Sequence, residues 1–277
     1  MTDDFRADLH THTYCSDGTD APFILLEKAK QIGLQGLSIT DHDTLDAYTP
    51  ELFEYAQKLS IQLLSGIELS SEEAGASIHL LGYHVDIGSK RLHSFLKEMI
   101  VRRGERNRNI LAKLKGLGLC IEEEELLASA AHLYPHRTIG RPHIAELMVQ
   151  KGYVPTMQFA FERYLKEGAL CFTPGIRFSP REAIEEIHLA GGKAVLAHPH
   201  FYKPGPLLKH LLTLPLDGIE CYYGTMRKEQ ERPWLDLAAK HQLIATGGSD
   251  YHGAVKPHIA LGCSWVGRET FQRLLKP

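Results

Sequence analysis

Apolar residues along this chain fall into short runs separated by longer amphipathic stretches. The runs are FRADLH (5–10), GLSIT (36–40), IQLLSGIE (61–68), SIHLLGYHV (77–85), KAVLAH (193–198), DGIEC (217–221) and LIATGGSD (243–250). Runs of this length read as strands. Between them, APFILLEKAKQIG (21–33) and SPREAIEEIHLAGG (179–192) carry the periodicity of helices. Strands alternating with helices predict an α/β protein built of βα units around a parallel sheet. About seven such units suggest a closed or nearly closed barrel rather than an open sheet. Residues 89 to 172 read differently, as successive helical patterns with no strand between them. They predict an inserted helical subdomain of about 80 residues. The expected division is therefore a barrel from 1–88 and 173–277 with the insertion at 89–172.

The chain has 277 residues, enough for one large α/β domain carrying such an insertion. No apolar run approaches the roughly 18 residues needed to cross a bilayer. The acidic, polar N-terminus lacks the basic and apolar regions of a signal peptide. A cytoplasmic protein with no membrane association and no obligatory protein partner is the expectation. The five cysteines are widely spaced and form no CxxC pair, which argues against a disulfide framework or a thiolate zinc site. A net charge of −3 does not suit general nucleic-acid binding, although a short oligonucleotide could still be held locally by its phosphates. P-loop, GxGxxG and GxSxG signatures are absent. Histidine is the excess, at 16 residues.

Many of these histidines, with carboxylates, stand where the apolar runs end. DLHTH places His10 and His12 two apart, on one face of an extended chain. Asp17 follows in an SDG turn, Asp41 and His42 lie in ITDHD, and Glu68 closes SGIE. His79 sits in SIHLLGYH, His198 ends AVLAH, and Asp250 and His252 belong to TGGSDYH. Taken singly, each has an ordinary structural reading as a hydrogen-bonded strand-end residue. Jointly they describe charged groups crowded at strand ends, which requires pairing or metal. Imidazole and carboxylate without thiolate suit zinc, manganese or iron. Three divalent ions against Asp17, Glu68 and Asp250 leave about +3 if the histidines stay neutral, a charge suited to a phosphate dianion.

The ordered set DLHTHTYCSDG, ITDHDT, GIELS, HLLGYH, AHP and GSDYH resembles the motifs of the PHP (polymerase and histidinol phosphatase) family, over the first 85 residues and about 175 to 277. The resemblance implies a distorted (β/α)7 barrel holding two or three divalent ions (Mn, Fe or Zn). It implies His10, His12, Glu68 and Asp250 at the first metal, Glu68, His79 and His198 at the second, and Asp17, His42 and His252 at the third. Some relatives carry His where Asp17 stands, which bears on occupancy of the third site. TIGRPHIAEL (138–147) and FERYL (161–165) resemble the helical insertion of PHP phosphoesterases acting as nucleoside 3′,5′-bisphosphate phosphatases and 5′-3′ exoribonucleases.

The expected function is thus a metal-dependent phosphoesterase, in which a metal-bridging hydroxide attacks a nucleotide phosphomonoester and phosphate is released. The substrate would be a nucleoside 3′,5′-bisphosphate or the 5′ end of a short oligoribonucleotide. Arg141, His143 and Arg137 are the candidate substrate ligands, since an arginine fork can grip a second phosphate. His200, beyond Pro199, is the candidate proton donor. His84 and His200 compete with His79 and His198 as ligands; Asp41 is expected to fix an imidazole by hydrogen bonding. Glu220, in a GIEC that echoes GIEL, is left outside the metal set, and Tyr222 and Tyr223 are candidate pocket lining. The basic RRGERNR stretch (102–108) reads as a solvated helix face. Two alternatives are a phosphatase for another small monoester such as histidinol phosphate, and a non-catalytic metal-binding accessory module.

Overall fold

The structure, a computed structural model, describes residues 4–131, 139–174, 178–202 and 205–276. Seven strands form one sheet in sequence order: β1 (Ala7–Thr11), β2 (Gly36–Ile39), β3 (Gln62–Glu73), β4 (Ala76–Tyr83), β5 (Lys193–Leu196), β6 (Gly218–Tyr223) and β7 (Ile244–Gly248). The chain beyond β7 returns to β1. Asp250 N donates to His10 O at 2.8 Å, and His12 N donates to Tyr251 O at 2.8 Å. The sheet therefore curls into a nearly closed barrel.

Every strand overlaps one of the apolar runs, and β3 extends five residues past its run, but one strand runs in the opposite direction to that expected. β4 is antiparallel to both β3 and β5. The cause is local. Only Ala74 and Gly75 separate β3 from β4, with φ of 51° and 81°. A two-residue turn with both φ values positive makes a hairpin, whereas a parallel partner needs a crossover of about a dozen residues or more. The reversal brings the N-terminal half of β4, not its C-terminal end, to the barrel mouth. There His79 stands opposite Ser70.

Helices α1 (Pro22–Gln31) and α2 (Pro50–Lys58) follow β1 and β2. The stretch between β4 and β5 holds α3 (Lys90–Gly116), α4 (Glu123–Ala131), α5 (Arg141–Gln150), α6 (Met157–Ala160), a π-helical turn at Phe161–Leu165, and α7 (Pro180–Leu189). Helices α8 (Pro206–Leu211), α9 (Lys228–His241) and α10 (Arg268–Leu275) complete the chain. The helix starts obey capping chemistry. In α7, Ser179 Oγ accepts from Glu182 N, and Glu182 Oε2 accepts from Ser179 N at 2.7 Å.

Apolar side chains gather into three clusters. Leu9, Leu64, Leu81, Tyr83 and Val195 join strands from around the barrel, and Tyr83 Oη donates to Leu9 O at 3.0 Å. A larger cluster, including Leu25, Leu52, Ile184 and Leu211, seats helices on strands. Ile110, Leu114, Ile144, Met148 and Leu165 form a separate cluster among α3, α5 and the π-helical turn. Among the described residues no helix is long and apolar enough to cross a membrane.

Candidate metal centre

Glu68 is the hub of the barrel mouth. It lies on β3, 1% exposed, and five imidazoles converge on its two oxygens. His10 Nε2, His12 Nε2 and His42 Nδ1 lie 3.2, 3.1 and 3.3 Å from Oε2. His79 Nδ1 and His198 Nε2 lie 2.8 and 3.0 Å from Oε1. A carboxylate offers about four lone-pair sites. Hydrogen bonds alone therefore leave this crowd unsatisfied. In keeping with that, His12 Nε2 and His42 Nδ1 are buried and make no hydrogen bond. Such nitrogens beside carboxylate oxygens are the donor set of divalent cations.

Two further carboxylates extend the cluster. Asp250 Oδ1 is 3.4 Å from both His10 Nε2 and His12 Nε2. Asp17 Oδ1 is 3.3 Å from His252 Nε2, and its Oδ2 is 3.8 Å from His42 Nε2. Among the described residues, three groups have ligand atoms mutually close enough to hold an ion. They are His10, His12, Glu68 and Asp250; His12, Asp17, His42 and His252; and His42, Glu68 and His79. All nine residues singled out in the sequence thus meet at one mouth. The grouping differs in detail from the resemblance, because His12 also joins the Asp17 group and His42 stands with Glu68 and His79. His84 stays apart, exposed beyond β4 with a φ of 59°.

Local backbone makes this convergence. His198 and Asp250 have φ of 29° and 58°, in the left-handed region that non-glycine residues seldom occupy. Each sits just past a strand, where the chain turns and aims the side chain inward. Gly18 lets the SDG turn fold back on β1, since a Cβ there would meet His12 O at 2.5 Å.

Several residues that hold the ligands carried weaker sequence signals. Glu220 is fully buried, accepts from His10 Nδ1 at 2.9 Å and from His198 N at 2.6 Å, and so orients two candidate ligands. Its GIEC echo of GIEL was the available signal. Tyr223 Oη and Lys256 Nζ each donate to Asp250 Oδ2 at 2.6 Å, so Tyr223 acts on a ligand rather than on the pocket wall. Asp41 does not grip an imidazole directly. It accepts from Thr13 N, Thr13 Oγ1 and Ser16 Oγ, and Ser16 Oγ in turn lies 3.4 Å from His12 Nδ1. His252 Nδ1 faces Asp250 O at 2.9 Å. Such outer bonds fix ring orientation and raise ligand basicity.

The electrostatics match this picture. Burial pushes Glu68 up, but His42, His10 and His79 outweigh it and hold the carboxyl well below its usual range. Asp17 is likewise held low against burial by His252 and His42, and Asp250 by Lys256 and His252. Burial lowers His42 to about 3, despite the nearby carboxylates. Burial also works against protonated His12, yet Asp250 and Glu68 raise it to about 9.

A cavity of about 100 Å³ opens beside the cluster, lined by Asp17, His42 and His79 on one side and by Arg103, Arg106 and Arg141 on the other. Arg141 opens α5. Its guanidinium donates to Leu165 O at 3.2 Å and stands 5.9 Å from the Phe172 ring. The RRGERNR stretch is only partly a solvated face: Glu105 and Arg108 are exposed, but other residues turn inward. Arg103 binds Asp43 and Ser70, and Arg106 is buried, with Nε donating to Thr173 O at 2.8 Å. Arg102 lies 4.0 Å over the Phe178 ring, and Arg108 pairs with Glu123. Tertiary partners on the barrel and on the segment before α7 claim Arg103 and Arg106. His143 is buried, and its Nδ1 accepts from Gly140 N at 2.9 Å, which leaves the ring proton on Nε2. Arg137 lies outside the described residues. His200 packs on Tyr223 with ring centroids 4.4 Å apart, both its ring nitrogens lack hydrogen-bond partners, and burial holds it down to about 4.

A nearly closed barrel carrying a His/Asp/Glu cluster at its mouth, with arginines beside it, defines a hydrolytic metalloenzyme architecture. The chain belongs to the PHP domain family, whose model matches residues 8–190. It is 32% identical over 261 residues to the 5′-3′ exoribonuclease Rnm of Escherichia coli, covering 92% of this chain and 87% of that one. It is 31% identical to a phosphoribosyl 1,2-cyclic phosphate 1,2-diphosphodiesterase of Eggerthella lenta (91% and 97% covered). It is 29% identical to a 3′,5′-nucleoside bisphosphate phosphatase of Chromobacterium violaceum (98% and 98% covered). A Bifidobacterium adolescentis structure inferred to be a metal-dependent phosphoesterase superposes with a TM-score of 0.86 at 31% identity, covering 97% of this chain and 95% of that one. The protein is a metal-dependent phosphoesterase, a hydrolase acting on phosphoester bonds, and the accessory-module alternative falls away.

Proposed function

We propose that this phosphoesterase removes phosphate from nucleotides, acting on a nucleoside 3′,5′-bisphosphate or the 5′ end of a short oligoribonucleotide. The observation that carries this reading is the cavity in which Arg103, Arg106 and Arg141 face Asp17, His42 and His79. One phosphate would sit at the metal groups and a second against the arginines. The relatives support it, since each is named for a phosphate ester of a pentose, whether RNA, a phosphoribosyl cyclic phosphate or a nucleoside bisphosphate. That favours a nucleotide over histidinol phosphate.

In this reading His10, His12, Glu68 and Asp250 hold the first ion, Glu68, His79 and His198 the second, and Asp17, His42 and His252 the third. The buried, unbonded nitrogens of His12 and His42 fit that role. Bound divalent ions supply a nucleophile from water at neutral pH and positive charge for the phosphoryl oxygens. Arg141 holds the second phosphate as a charge-assisted fork, with Arg137 assisting, whereas His143 lines an adjoining cavity. The helical segment 89–172 covers the mouth and brings Arg103, Arg106 and Arg141 to it. His200 meets the leaving oxygen as a neutral imidazole N–H.

The test is a phosphate-release screen with Mn²⁺ across nucleotides, bisphosphates and short RNAs, repeated with Arg141→Ala. The bisphosphate should lose about 10- to 100-fold more activity than a simple monoester, the worth of a hydrogen bond to a charged group. Equal loss on both overturns the two-phosphate reading.

A further inference from the structure

A second cavity, of about 220 Å³, adjoins the first and shares Asp17 and Pro142 with it. Its composition is the reverse of its neighbour's. Tyr14, Pro142, Met157 and Val255 supply apolar and aromatic wall, and the polar lining includes the carboxylates of Asp17 and Glu146 and the imidazole of His143. Among the described residues, three arginines line the first cavity, whereas no lysine or arginine lines the second. A phosphate would be repelled here. A flat, neutral, N–H-bearing group would not, since it can stack on Tyr14 and Pro142 and donate to Glu146. The volume is below the roughly 300 Å³ at which pockets begin to hold drug-sized molecules, so it suits a fragment such as a single base.

We propose that this cavity is the nucleobase subsite of the substrate, with Met157 and Glu146 as specificity-determining residues. The proposal rests on the nucleotide-phosphatase reading and divides the substrate between the two cavities: phosphates on the Arg141 side of Asp17, base on the Met157 side. Three separate parts of the chain build the subsite: the loop after β1 (Tyr14, Thr19), the insertion (Pro142, Met157) and the turn after β7 (Ala254, Val255). Ala254 N donates to Thr19 Oγ1 at 3.0 Å, which ties the first of these to the last. The base would thus be read where barrel and insertion meet.

The experiment compares kcat/KM for a nucleoside 3′,5′-bisphosphate and for methyl riboside 3,5-bisphosphate, which lacks the base, on the Mn²⁺-loaded full-length enzyme. Wild type should prefer the nucleotide by about 10-fold, the worth of stacking one base. Met157→Trp fills the cavity and should abolish that preference, chiefly by raising KM for the nucleotide. Ala254→Phe intrudes from the opposite, exposed wall and should do the same, so a folding defect in one variant does not decide the outcome. Equal wild-type rates on both substrates, or loss of both in equal proportion in the variants, overturns the base subsite and leaves the phosphatase reading standing. If wild type hydrolyses neither, the underlying reading fails and this proposal with it.

Discussion

Glu220 and His10 are joined inside the barrel by a 2.9 Å bond between Oε1 and Nδ1, both side chains fully buried. The bond fixes the His10 ring so that Nε2 faces Glu68 and Asp250. Glu220 is a positioning residue, acting on the candidate first metal group through His10. Glu220→Gln should therefore weaken metal retention by about 10- to 100-fold, the usual loss on removing an outer-shell carboxylate. Metal content after dialysis against a graded chelator series measures it. Retention equal to wild type, with the fold intact, would refute the role.

Helix α3 and the barrel mouth are linked through Arg103 and Asp43, beside His42. Asp43 is 1% exposed and also accepts from Ser70 N at 2.7 Å. Burial penalises its charge, and Arg103 more than compensates, holding its carboxyl below the usual range. Arg103→Met should strand that buried charge and cost about 3 kcal/mol, while Arg103→Met with Asp43→Asn should recover part of it. Urea denaturation of both singles and the double gives the coupling. Additive losses would mean the pair contributes no interaction of its own.

The strands and the nine candidate ligands were legible in the sequence because both are local. A run of apolar residues reports its own burial, and a ligand at its end inherits a position from it. Strand direction is not local in that sense. The parallel expectation for β4 failed although Ala74–Gly75 was there to be read as a hairpin turn. Arg103 and Arg106 were read as solvated because charge on a helix says nothing of what lies across from it. Their partners, Asp43 and Thr173 O, are 60 and 67 residues away in sequence. Glu220 shows the same limit: its role depends on β6 lying near β1, which no spacing within GIEC reveals.

Barrel closure depends on a close approach at Gly248. A Cβ there would meet His10 N at 2.3 Å and His10 Cβ at 2.6 Å. Gly248→Ala should force β7 away from β1 and separate Asp250 from His10 and His12. We expect a stability loss of about 1–3 kcal/mol, typical of overpacking, together with lower metal content. Gly267→Ala, where a Cβ meets nothing within 4 Å, is the control. Calorimetry with metal analysis checks both. A Gly248→Ala protein with native metal content would show that the approach is not needed for the site.

Protonation of the centre gives an opposite pH signature with and without metal. Without metal, burial disfavours protonated His12, but Asp250 and Glu68 raise it from 6.5 to about 9. A histidine raised in the folded state contributes stability that is fully present below pH 6.5 and lost as pH climbs through about 9. Burial lowers His42 to about 3, so it is already neutral across that window, and lowers His252 as well. Burial also works against protonated His10, but Glu220, Glu68 and Asp250 raise it well above its ordinary value. Metal ligation needs neutral imidazole, so loading at pH 7 must expel the protons on His12 and His10, and the affinity should rise with pH. The chelator-treated protein should therefore lose Tm between pH 6.5 and 9. The gap in Tm to the Mn²⁺-loaded protein should widen over the same range. Proton release on metal addition in weakly buffered solution should shrink as pH approaches 9, because fewer protons remain to be displaced. A Tm gap independent of pH, or no proton release at pH 7, would show that the histidines of the metal-free centre are not protonated and that the carboxylates do not dominate its field.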